Sequence, residues 1–253
     1  VAFNTYVDHL LMPPDAILKA DGAPYTVFTP YMRTFRLHLQ NSIIRYPSEQ
    51  HLQALVKQTA TPLLDLSMMG FRFSSILVTE FHWDDRRLQT YQALRDIPSV
   101  EGTSRAGAHL RFGTISIRAL FAFALQHSEV YVNELIWREF YQMLLYHFPY
   151  SATSNFKRKY DALVWRNNEA DFIIWCRGET GYPMVDAGMR QLNETGWMHN
   201  RLRMITASFL TKHLLIDWRW GEAYFASRLV DYELASNVGG WQWAASTGSD
   251  AVP

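Results

Sequence analysis

The sequence has 253 residues, 48% of them hydrophobic and 15% aromatic, which is enough to bury a core and excludes an intrinsically disordered chain. Its 24 basic and 24 acidic residues cancel, which excludes a uniformly cationic nucleic-acid coat but permits a local basic patch. The single cysteine, Cys176, excludes an internal disulfide and a cysteine-based metal site. Its apolar neighbours favour a buried, unreactive thiol.

Two features bear on location and completeness. No apolar run approaches the ~20 residues of a membrane span and no signal peptide is visible, so we expect a cytoplasmic protein without membrane contact. The chain begins with Val1 rather than Met and ends at Pro253, directly after a motif-rich stretch. We therefore expect a fragment of a longer protein.

Residues 1–35 are predicted to form the end of an α/β layer. Asp21-Gly22 predicts a turn, and the β-branched and aromatic residues from Tyr25 to Phe28 predict a strand or loop. Over residues 36–78 the periodicity is poor, which indicates a connector between two domains.

Residues 79–253 are predicted to form a mostly helical domain, because nothing in them alternates at period two. Ser116 is a candidate N-cap and Pro183 suits the first turn of a helix. Glycines separate the helical stretches. The predicted helices are Thr79–Arg95, Ser116–His127, Val130–His147, Glu169–Arg177, Pro183–Thr195, His199–His213 and Glu222–Leu229.

The loop from Glu101 to Gly113 combines hydroxyl residues, glycines and an arginine just before a helical stretch. Backbone amides and hydroxyls in such a loop suit anion binding, although most loops of this kind are ordinary turns. The overlapping stretch from Thr103 to Arg118 contains Arg105, His109, Arg111 and Arg118 with no acid, which is where a basic patch is expected.

The stretch NELIWREFYQ contains Glu134, Trp137 and Arg138 on a predicted helix. Glu134 and Arg138 are four residues apart, so a surface salt bridge is one interpretation. Trp137 stands three residues from Glu134 on the same side. A stacking plane beside a hydrogen-bond acceptor is what a flipped-out base requires, which is the functional interpretation.

The stretch GWMHNRLRMITASFL has two faces at helical period. Met198, Leu202, Ile205 and Phe209 form an apolar stripe suited to a core, and polar residues occupy the adjacent stripes. Amides and guanidinium groups beside a core need hydrogen-bonding partners, so they indicate either a ligand site or a solvated helix edge. The polar stripes consist of Asn200 with Arg203 and of Arg201 with Met204.

The stretch from Leu229 to Asp250 places polar groups in apolar, small-residue surroundings. A helix cap followed by a glycine turn explains Asp231, whereas carboxylates and amides that need donors also suit the N–H edge of a ring. Trp241 and Trp243 would point about 200° apart on a helix, so we expect them not to serve one surface. The other polar groups of this stretch are Glu233 and Asn237.

Together these motifs resemble the photolyase/cryptochrome flavoproteins, densely from Thr90 to Pro253 and loosely before. The resemblance implies a mainly α, helical FAD-binding domain preceded by the tail of an α/β, Rossmann-like antenna domain. It also implies FAD, active when reduced, and an antenna pigment of the folate or deazaflavin type in the full-length protein. The Asn-Arg-Leu-Arg-Met run is similar to that of class I cyclobutane-dimer photolyases.

The resemblance assigns cofactor contacts to several motifs. In the anion loop, Ala106 and Gly107 replace the usual Leu-Ser, so a hydroxyl contact with phosphate is missing. Glu233 stands where the family usually has Asp. The implied FAD-binding residues are Tyr91, Thr103, Ser104, Arg105, Asn200, Arg203, Asp231, Glu233 and Asn237.

Substrate contacts and an electron-transfer chain also follow from the resemblance. The implied chain is Trp241, Trp218 and Trp165, of which the sequence alone would place Trp218 and Trp165 in a core. The implied substrate and DNA residues are Glu134, Trp137, Arg138, Arg201, Met204 and Trp243. Tyr131, where close relatives often have Trp, would keep an aromatic wall.

The function that the resemblance implies is light-driven repair of cyclobutane pyrimidine dimers in DNA by a monomeric carbon–carbon lyase. A blue-light photoreceptor of the cryptochrome type is the first alternative, and Asn237 and Trp243 argue against it. An inactive remnant or a helical interaction module is the second. We expect no metal, because the histidines show no ligand spacing with carboxylates.

Overall fold

The computed structural model describes residues 3, 7–39, 50, 52–53 and 64–250. Within these residues the chain is mainly α-helical, with one isolated antiparallel bridge between Leu18 and Pro24 and no extended strand, which confirms the predicted fold class. A π-helical turn, Phe209–His213, continues α8. The ten α-helices are α1 (Phe28–Leu39), α2 (Asp85–Leu94), α3 (Gly107–Phe112), α4 (Ile117–His127), α5 (Glu129–His147), α6 (Glu169–Arg177), α7 (Pro183–Thr195), α8 (Asn200–Ser208), α9 (Trp218–Arg228) and α10 (Leu234–Ala244).

Helix boundaries follow the side chains that cap them. The predicted bounds of α6 and α7 are confirmed, and Ser116 caps α4 by accepting the Ala119 N–H. The helix predicted from Thr79 begins only after Asp84, whose carboxylate accepts the Arg87 N–H. Asp217 caps α9 in the same way, so that helix begins before the predicted residue.

Three helices were not predicted. Helix α1 crosses the predicted boundary between residues 35 and 36, so the first residues of the predicted connector, 36–39, are helical. Helix α3 occupies part of the anion loop, and α10 contains the Gly239-Gly240 pair. The connector prediction for residues 40–49, 51 and 54–63 lies outside the described residues.

Two apolar clusters form the interior of the described chain. One is built on α1, α2, α4 and α5, and the other on α6 to α10. Helix α5 packs against α1, α2, α4 and α10, while α10 also packs against α8 and α9. Helices α5 and α10 therefore form the boundary between the clusters, and this boundary is where the candidate site lies.

The segment before α1 is attached to the helical region by polar side chains. The buried carboxylate of Glu139 accepts the Leu11 N–H at 3.0 Å, and Arg138 donates to the His9 carbonyl at 2.7 Å. Arg118 donates to the carbonyls of Val7 and Asp8. Since the acceptors are mostly backbone groups, these contacts fix the path of the chain whatever its side chains are.

The structure bears on the reactivity of Cys176 and on the presence of membrane-spanning helices. Cys176 is half-buried, and burial raises its pKa to about 12, which leaves it protonated and unreactive. In the described part of the chain, no helix is both long enough and apolar enough to cross a membrane.

Candidate functional site

A cavity of about 690 Å³ opens between α5, α8 and α10. Its volume lies within the ~300–1,000 Å³ typical of cofactor and small-molecule sites. Most of the residues predicted for a site line this one cavity, although their motifs are up to about a hundred positions apart. The predicted residues in the lining are Glu134, Trp137, Arg138, Asn200, Arg201, Arg203, Met204, Asp231, Glu233, Asn237, Trp241 and Trp243.

Arg203 and Asp231 form the central ion pair of the cavity. Arg203 Nη2 lies 2.8 Å from Asp231 Oδ2, and Arg203 Nε donates to the Met198 carbonyl at 2.8 Å. The second carboxylate oxygen, Asp231 Oδ1, is buried and has no hydrogen-bond partner. A buried acceptor without a partner is costly, so this oxygen indicates a place for a ligand N–H.

Glu233 and Asn237 are held by contacts within the α9–α10 region. Glu233 caps α10, because its carboxylate accepts the N–H groups of Ala235 and Ser236 at 2.9 Å. Asn237 Nδ2 donates to Glu222 Oε1 at 3.0 Å. These contacts leave the Asn237 carbonyl oxygen as the group of this side chain that is open to a ligand donor.

Two residues that sequence analysis missed, Arg95 and Asp96, connect the polar groups of the cavity rim. Arg95 pairs with Glu134, and Arg201 Nη2 lies 2.5 Å from Asp96 Oδ1. The hydrogen bond from Arg201 holds the pKa of Asp96 below its usual value. The local Glu134–Arg138 salt bridge considered from the sequence is not the pairing found, because Arg138 turns to the segment before α1.

Trp137 forms an aromatic wall with neighbours on two helices. Its ring stacks on Phe28 with centroids 3.6 Å apart and planes 7° apart, and it also contacts Tyr141. Phe28 therefore covers one face of the indole. Tyr131 does not line the cavity: it is buried, and its hydroxyl lies 2.7 Å from Ser104 Oγ, so the expected aromatic wall at this position is wrong.

Trp241 and Trp243 both line the cavity, so the expectation that they cannot serve one surface is wrong. Trp241 is only 2% exposed and packs edge-on against Trp175 and Phe225, with centroids 6.0 and 4.9 Å apart. On a helix that turns about 100° per residue, the two indoles lie roughly 200° apart in one direction around the axis. In the opposite direction they are only roughly 160° apart. That arc contains Ser236 and Gly240, whose small size lets one cavity extend around the helix.

The predicted anion loop lies outside the cavity lining. Thr103 is half-buried, and Ser104 is engaged with Tyr131. The Arg105 guanidinium lies 4.2 Å from the centroid of the Trp197 ring and 2.5 Å from Glu101 Oε1, while its Nε atom is buried without a partner. Tyr91, the upstream tyrosine predicted to join this loop, is buried against Tyr131.

The predicted basic patch is largely neutralised by contacts. Arg105 pairs with Glu101 and Arg118 pairs with Asp8, at 2.5 and 3.0 Å. Arg111 Nε donates to the Tyr232 carbonyl. The positive charge that the sequence indicated is therefore reduced by Asp8, which is distant in sequence, and by Glu101, which lies just before the stretch.

Trp218 and Trp165 belong to the same apolar cluster as Trp241. Trp218 is fully buried, and its Nε1 donates to Asn155 Oδ1 at 2.8 Å. Trp165 is half-buried. Burial thus decreases from Trp241 and Trp218 to Trp165.

Comparison with known proteins shows what this arrangement is similar to. Residues 131–253 match the family described as the FAD binding domain of DNA photolyase. Over these residues the chain is similar to DNA photolyases. A deoxyribodipyrimidine photo-lyase of Alkalihalophilus pseudofirmus is 42% identical over 271 residues, which are 100% of this chain and 57% of that protein. The chain thus spans a little more than half the length of the curated photo-lyases it matches.

Two solved structures of the photolyase/cryptochrome type share the fold. A bacterial class III photolyase from Agrobacterium tumefaciens has a TM-score of 0.80 and 37% identity, covering 97% of this chain and 56% of that one. A cryptochrome of Synechocystis sp. has a TM-score of 0.73 and 26% identity, covering 97% and 56%. The likeness extends over nearly the whole of the present chain.

The cavity fits the flavin that the photolyase domain is described as binding. Its volume suits a cofactor, and Asp231 supplies an unpartnered buried acceptor next to the positive charge of Arg203. Gly107, which replaces the serine usual in the family, also fits this arrangement, since a Cβ at this position would lie 2.8 Å from Asp231 Oδ2. Glycine at this position therefore allows the anion loop to approach the central carboxylate. In the described residues, no group of three or more His, Cys, Asp or Glu side chains is placed to hold a metal ion.

Proposed function

We propose that the protein represented by this chain is a deoxyribodipyrimidine photo-lyase that splits cyclobutane pyrimidine dimers in DNA. The main support is that one cavity joins a polar wall suited to a flavin with an aromatic wall suited to flipped-out pyrimidines. When bound and reduced, FAD supplies the light-excited electron that opens the dimer and takes the electron back afterwards. The chain's own residues bind, orient and shield the reactants.

On the flavin side, Arg203 and Asp231 provide a fixed positive charge and a free acceptor. Asn200 and Asn237 add amide groups to the same wall, and Glu233 holds the first turn of α10 in place. We assign the diphosphate to the anion loop with Thr103, Ser104 and Tyr91. The unpartnered buried Nε of Arg105 in that loop supports the assignment. Because these groups are fixed by helix caps and ion pairs, they are organised before the ligand arrives.

On the substrate side, Trp137 and Trp243 supply planes on which pyrimidines stack, and Glu134 supplies an acceptor for a base edge. Arg95 orients Glu134 through their ion pair. Arg201 meets a DNA phosphate at the rim after exchanging its contact with Asp96. We also assign Met204 and Arg138 to this side of the cavity, where Met204 Sδ lies 3.4 Å from Arg201 Nη1.

We further propose that Trp241, Trp218 and Trp165 carry electrons from the surface to the oxidised flavin. Trp241 lines the cavity, and the three residues share one apolar cluster whose last member reaches the surface. Burial in low-dielectric surroundings disfavours side reactions with water along this route. The protein acts on DNA as a monomer in this proposal.

A cryptochrome-type photoreceptor is the second candidate, and the likeness to the Synechocystis cryptochrome favours it. Both candidates use a flavin and light, so flavin binding does not separate them. Removal of dimers from DNA does, because a photoreceptor leaves the dimer intact.

The deciding experiment is a repair assay with defined DNA. Protein loaded with FAD and reduced without oxygen is mixed with a dimer-containing oligonucleotide, exposed to blue light and analysed for intact thymines by chromatography. We expect light-dependent loss of dimers and a large decrease in the Trp243→Ala variant. Flavin-loaded protein that binds the oligonucleotide but leaves the dimer intact would favour the photoreceptor.

A further inference from the structure

His199 stands at the start of α8, the helix that contributes five residues to the cavity lining. It is only 1% exposed, and its Nδ1 atom accepts the Arg201 N–H at 3.1 Å, so the imidazole ring caps the helix. Its own N–H donates to Gln191 Oε1 of α7, and its carbonyl accepts from Leu202 and Arg203. The residue is thus anchored on both sides and ties its ring to the first turn of α8.

The cap defines the protonation state of the ring. Nδ1 can accept a hydrogen bond only when it carries no proton, so the neutral ring has its proton on Nε2. Nε2 is buried and makes no hydrogen bond of normal geometry, although the Arg95 backbone carbonyl beside it favours a ring proton. A proton added to Nδ1 would replace an acceptor by a donor that faces the Arg201 N–H.

The charges around His199 come from α2 and α8. Asp96, at the end of α2, favours a charged ring, whereas Arg201 and Arg203 of α8 oppose it. From α7 the neutral amide of Gln191 faces the residue. Burial is the largest effect, and together with the arginines it lowers the pKa of His199 below the ordinary value of 6.5. The ring therefore stays neutral at neutral pH and becomes charged as the medium turns acidic.

We propose that His199 is a positioning residue that makes the cavity sensitive to pH: its neutral ring holds the first turn of α8, and protonation releases that turn together with Asn200, Arg201 and Arg203. The consequence for binding rests on the proposed flavin site, because these three side chains line it. The consequence for the first turn of α8 does not depend on the proposed flavin site. Acidification thus weakens flavin binding by loosening the wall of the site rather than by changing a group that touches the ligand.

Two variants of His199 separate its role as the N-cap of α8 from the effect of its protonation. His199→Asn keeps a side-chain acceptor at the N-cap but cannot be protonated in this range, whereas His199→Ala removes the acceptor. His147→Asn is the matched control, because His147 also has a buried Nε2 without a partner but lies in the last turn of α5 and does not cap α8. Each protein is measured at pH 7.5 and 5.5, without ligand and during titration with FAD.

The first readout is hydrogen exchange of the amides of residues 201–203 in the ligand-free protein, corrected for the intrinsic effect of pH. In the parent and in His147→Asn we expect protection to fall about tenfold at pH 5.5, the loss expected for an N-cap. His199→Asn should stay protected at both pH values, and His199→Ala should be unprotected at both. A parent whose protection does not change, or a His199→Asn variant that still loses it, overturns the proposal.

The second readout is the dissociation constant of FAD, followed by flavin fluorescence. We expect it to rise about tenfold on acidification in the parent and to be nearly constant in His199→Asn. Failure of every protein to bind FAD at either pH contradicts the proposed function, and the exchange data still decide the role of His199. If hydrogen exchange changes with pH as expected but the dissociation constant of FAD does not, the link between the helix cap and the flavin site is overturned.

Discussion

Arg203 Nη2 and Asp231 Oδ2 lie 2.8 Å apart, and this contact joins α8 to the turn between α9 and α10. The Asp231 side chain is only 10% exposed, so its charge depends on Arg203 for compensation. The unpartnered Oδ1 atom lies in the same carboxylate. Asp231 Oδ2 therefore stabilises the fold through Arg203, whereas Oδ1 is available to accept a hydrogen bond from a ligand.

Asp231→Asn is expected to weaken FAD binding with little change in volume. The variant removes the charge opposite Arg203 and can present an N–H where the ligand needs an acceptor, a loss of about 1–3 kcal/mol, or roughly fivefold to 150-fold in affinity. Fluorescence titration with FAD measures it. The control is Glu129→Gln, which breaks the Arg36 pair away from the cavity at a carboxylate that is 67% exposed and should have little effect. Equal losses in both variants would contradict a specific role for Asp231.

Trp137 and Trp243 are expected to differ in how they affect stability. Trp137→Ala removes a ring stacked on Phe28, so it should lower both thermal stability and binding of dimer-containing DNA. Trp243→Ala should weaken binding of dimer-containing DNA by about 1–3 kcal/mol per stacked base, with a smaller effect on stability. Affinity for intact duplex is the reference in both cases. If both DNAs lose affinity equally, the residue acts in the core and not in base stacking.

Sequence analysis singled out twelve of the residues that line the candidate cavity, because they stand in short, local motifs. Helices α6 and α7 were also predictable, since Asn168, Gly178, Pro183 and Gly196 mark their ends by local capping chemistry. Assignment of the motifs to one site relied on the family resemblance, because residues so far apart in sequence reveal no proximity by periodicity alone.

The features that were missed depend on distant contacts. Helix α10 contains two glycines that disfavour a helix locally, yet Gly239 fits because a Cβ there would lie 2.2 Å from the Tyr141 ring. Glu134 has Arg138 one helical turn away, but it pairs with Arg95, 39 residues earlier. Tertiary packing decided both outcomes, and neither leaves a signal in the local sequence.

Trp165→Phe is expected to slow photoreduction of oxidised flavin by an external reductant. The side chain is half-buried and is the outermost member of the proposed chain, and phenylalanine keeps an aromatic ring but is much harder to oxidise. Repair by flavin that is already reduced should change little. Trp220→Phe is the matched control, as Trp220 is another partly buried tryptophan packed on the same cluster. Equal photoreduction rates in parent and Trp165→Phe protein would refute the assignment.

Glu139→Gln is expected to change how stability depends on pH. Burial raises the pKa of Glu139 to about 7 from 4.5, so the native protein binds the extra proton between these values and loses stability as pH rises through them. The glutamine variant lacks this loss, and its stability relative to the parent should rise by about 2.5 kcal/mol from pH 5 to pH 8. Urea denaturation at both pH values measures the difference. Glu129→Gln, on the exposed side of α5, should show no such trend.

Gly221→Ala is expected to disturb the cavity through Trp241. A Cβ at this position of α9 would lie 2.1 Å from Trp241 Cη2 and 2.6 Å from Leu210 Cδ2, so the buried indole has to move. Overpacking of this kind costs about 1–3 kcal/mol, which exceeds the ~0.5–1 kcal/mol that alanine gains over glycine in a helix. The melting temperature and FAD affinity should therefore both fall.

Gly240→Ala is the matched control for the stability part of that prediction, because it lies inside α10 and a Cβ there meets no atom within 4 Å. Its melting temperature should rise slightly, as expected for replacing a helical glycine that has free space around it. If Gly221→Ala is as stable as Gly240→Ala, then Trp241 has room to shift, and the close approach of α9 to this indole does not hold the wall of the cavity in place.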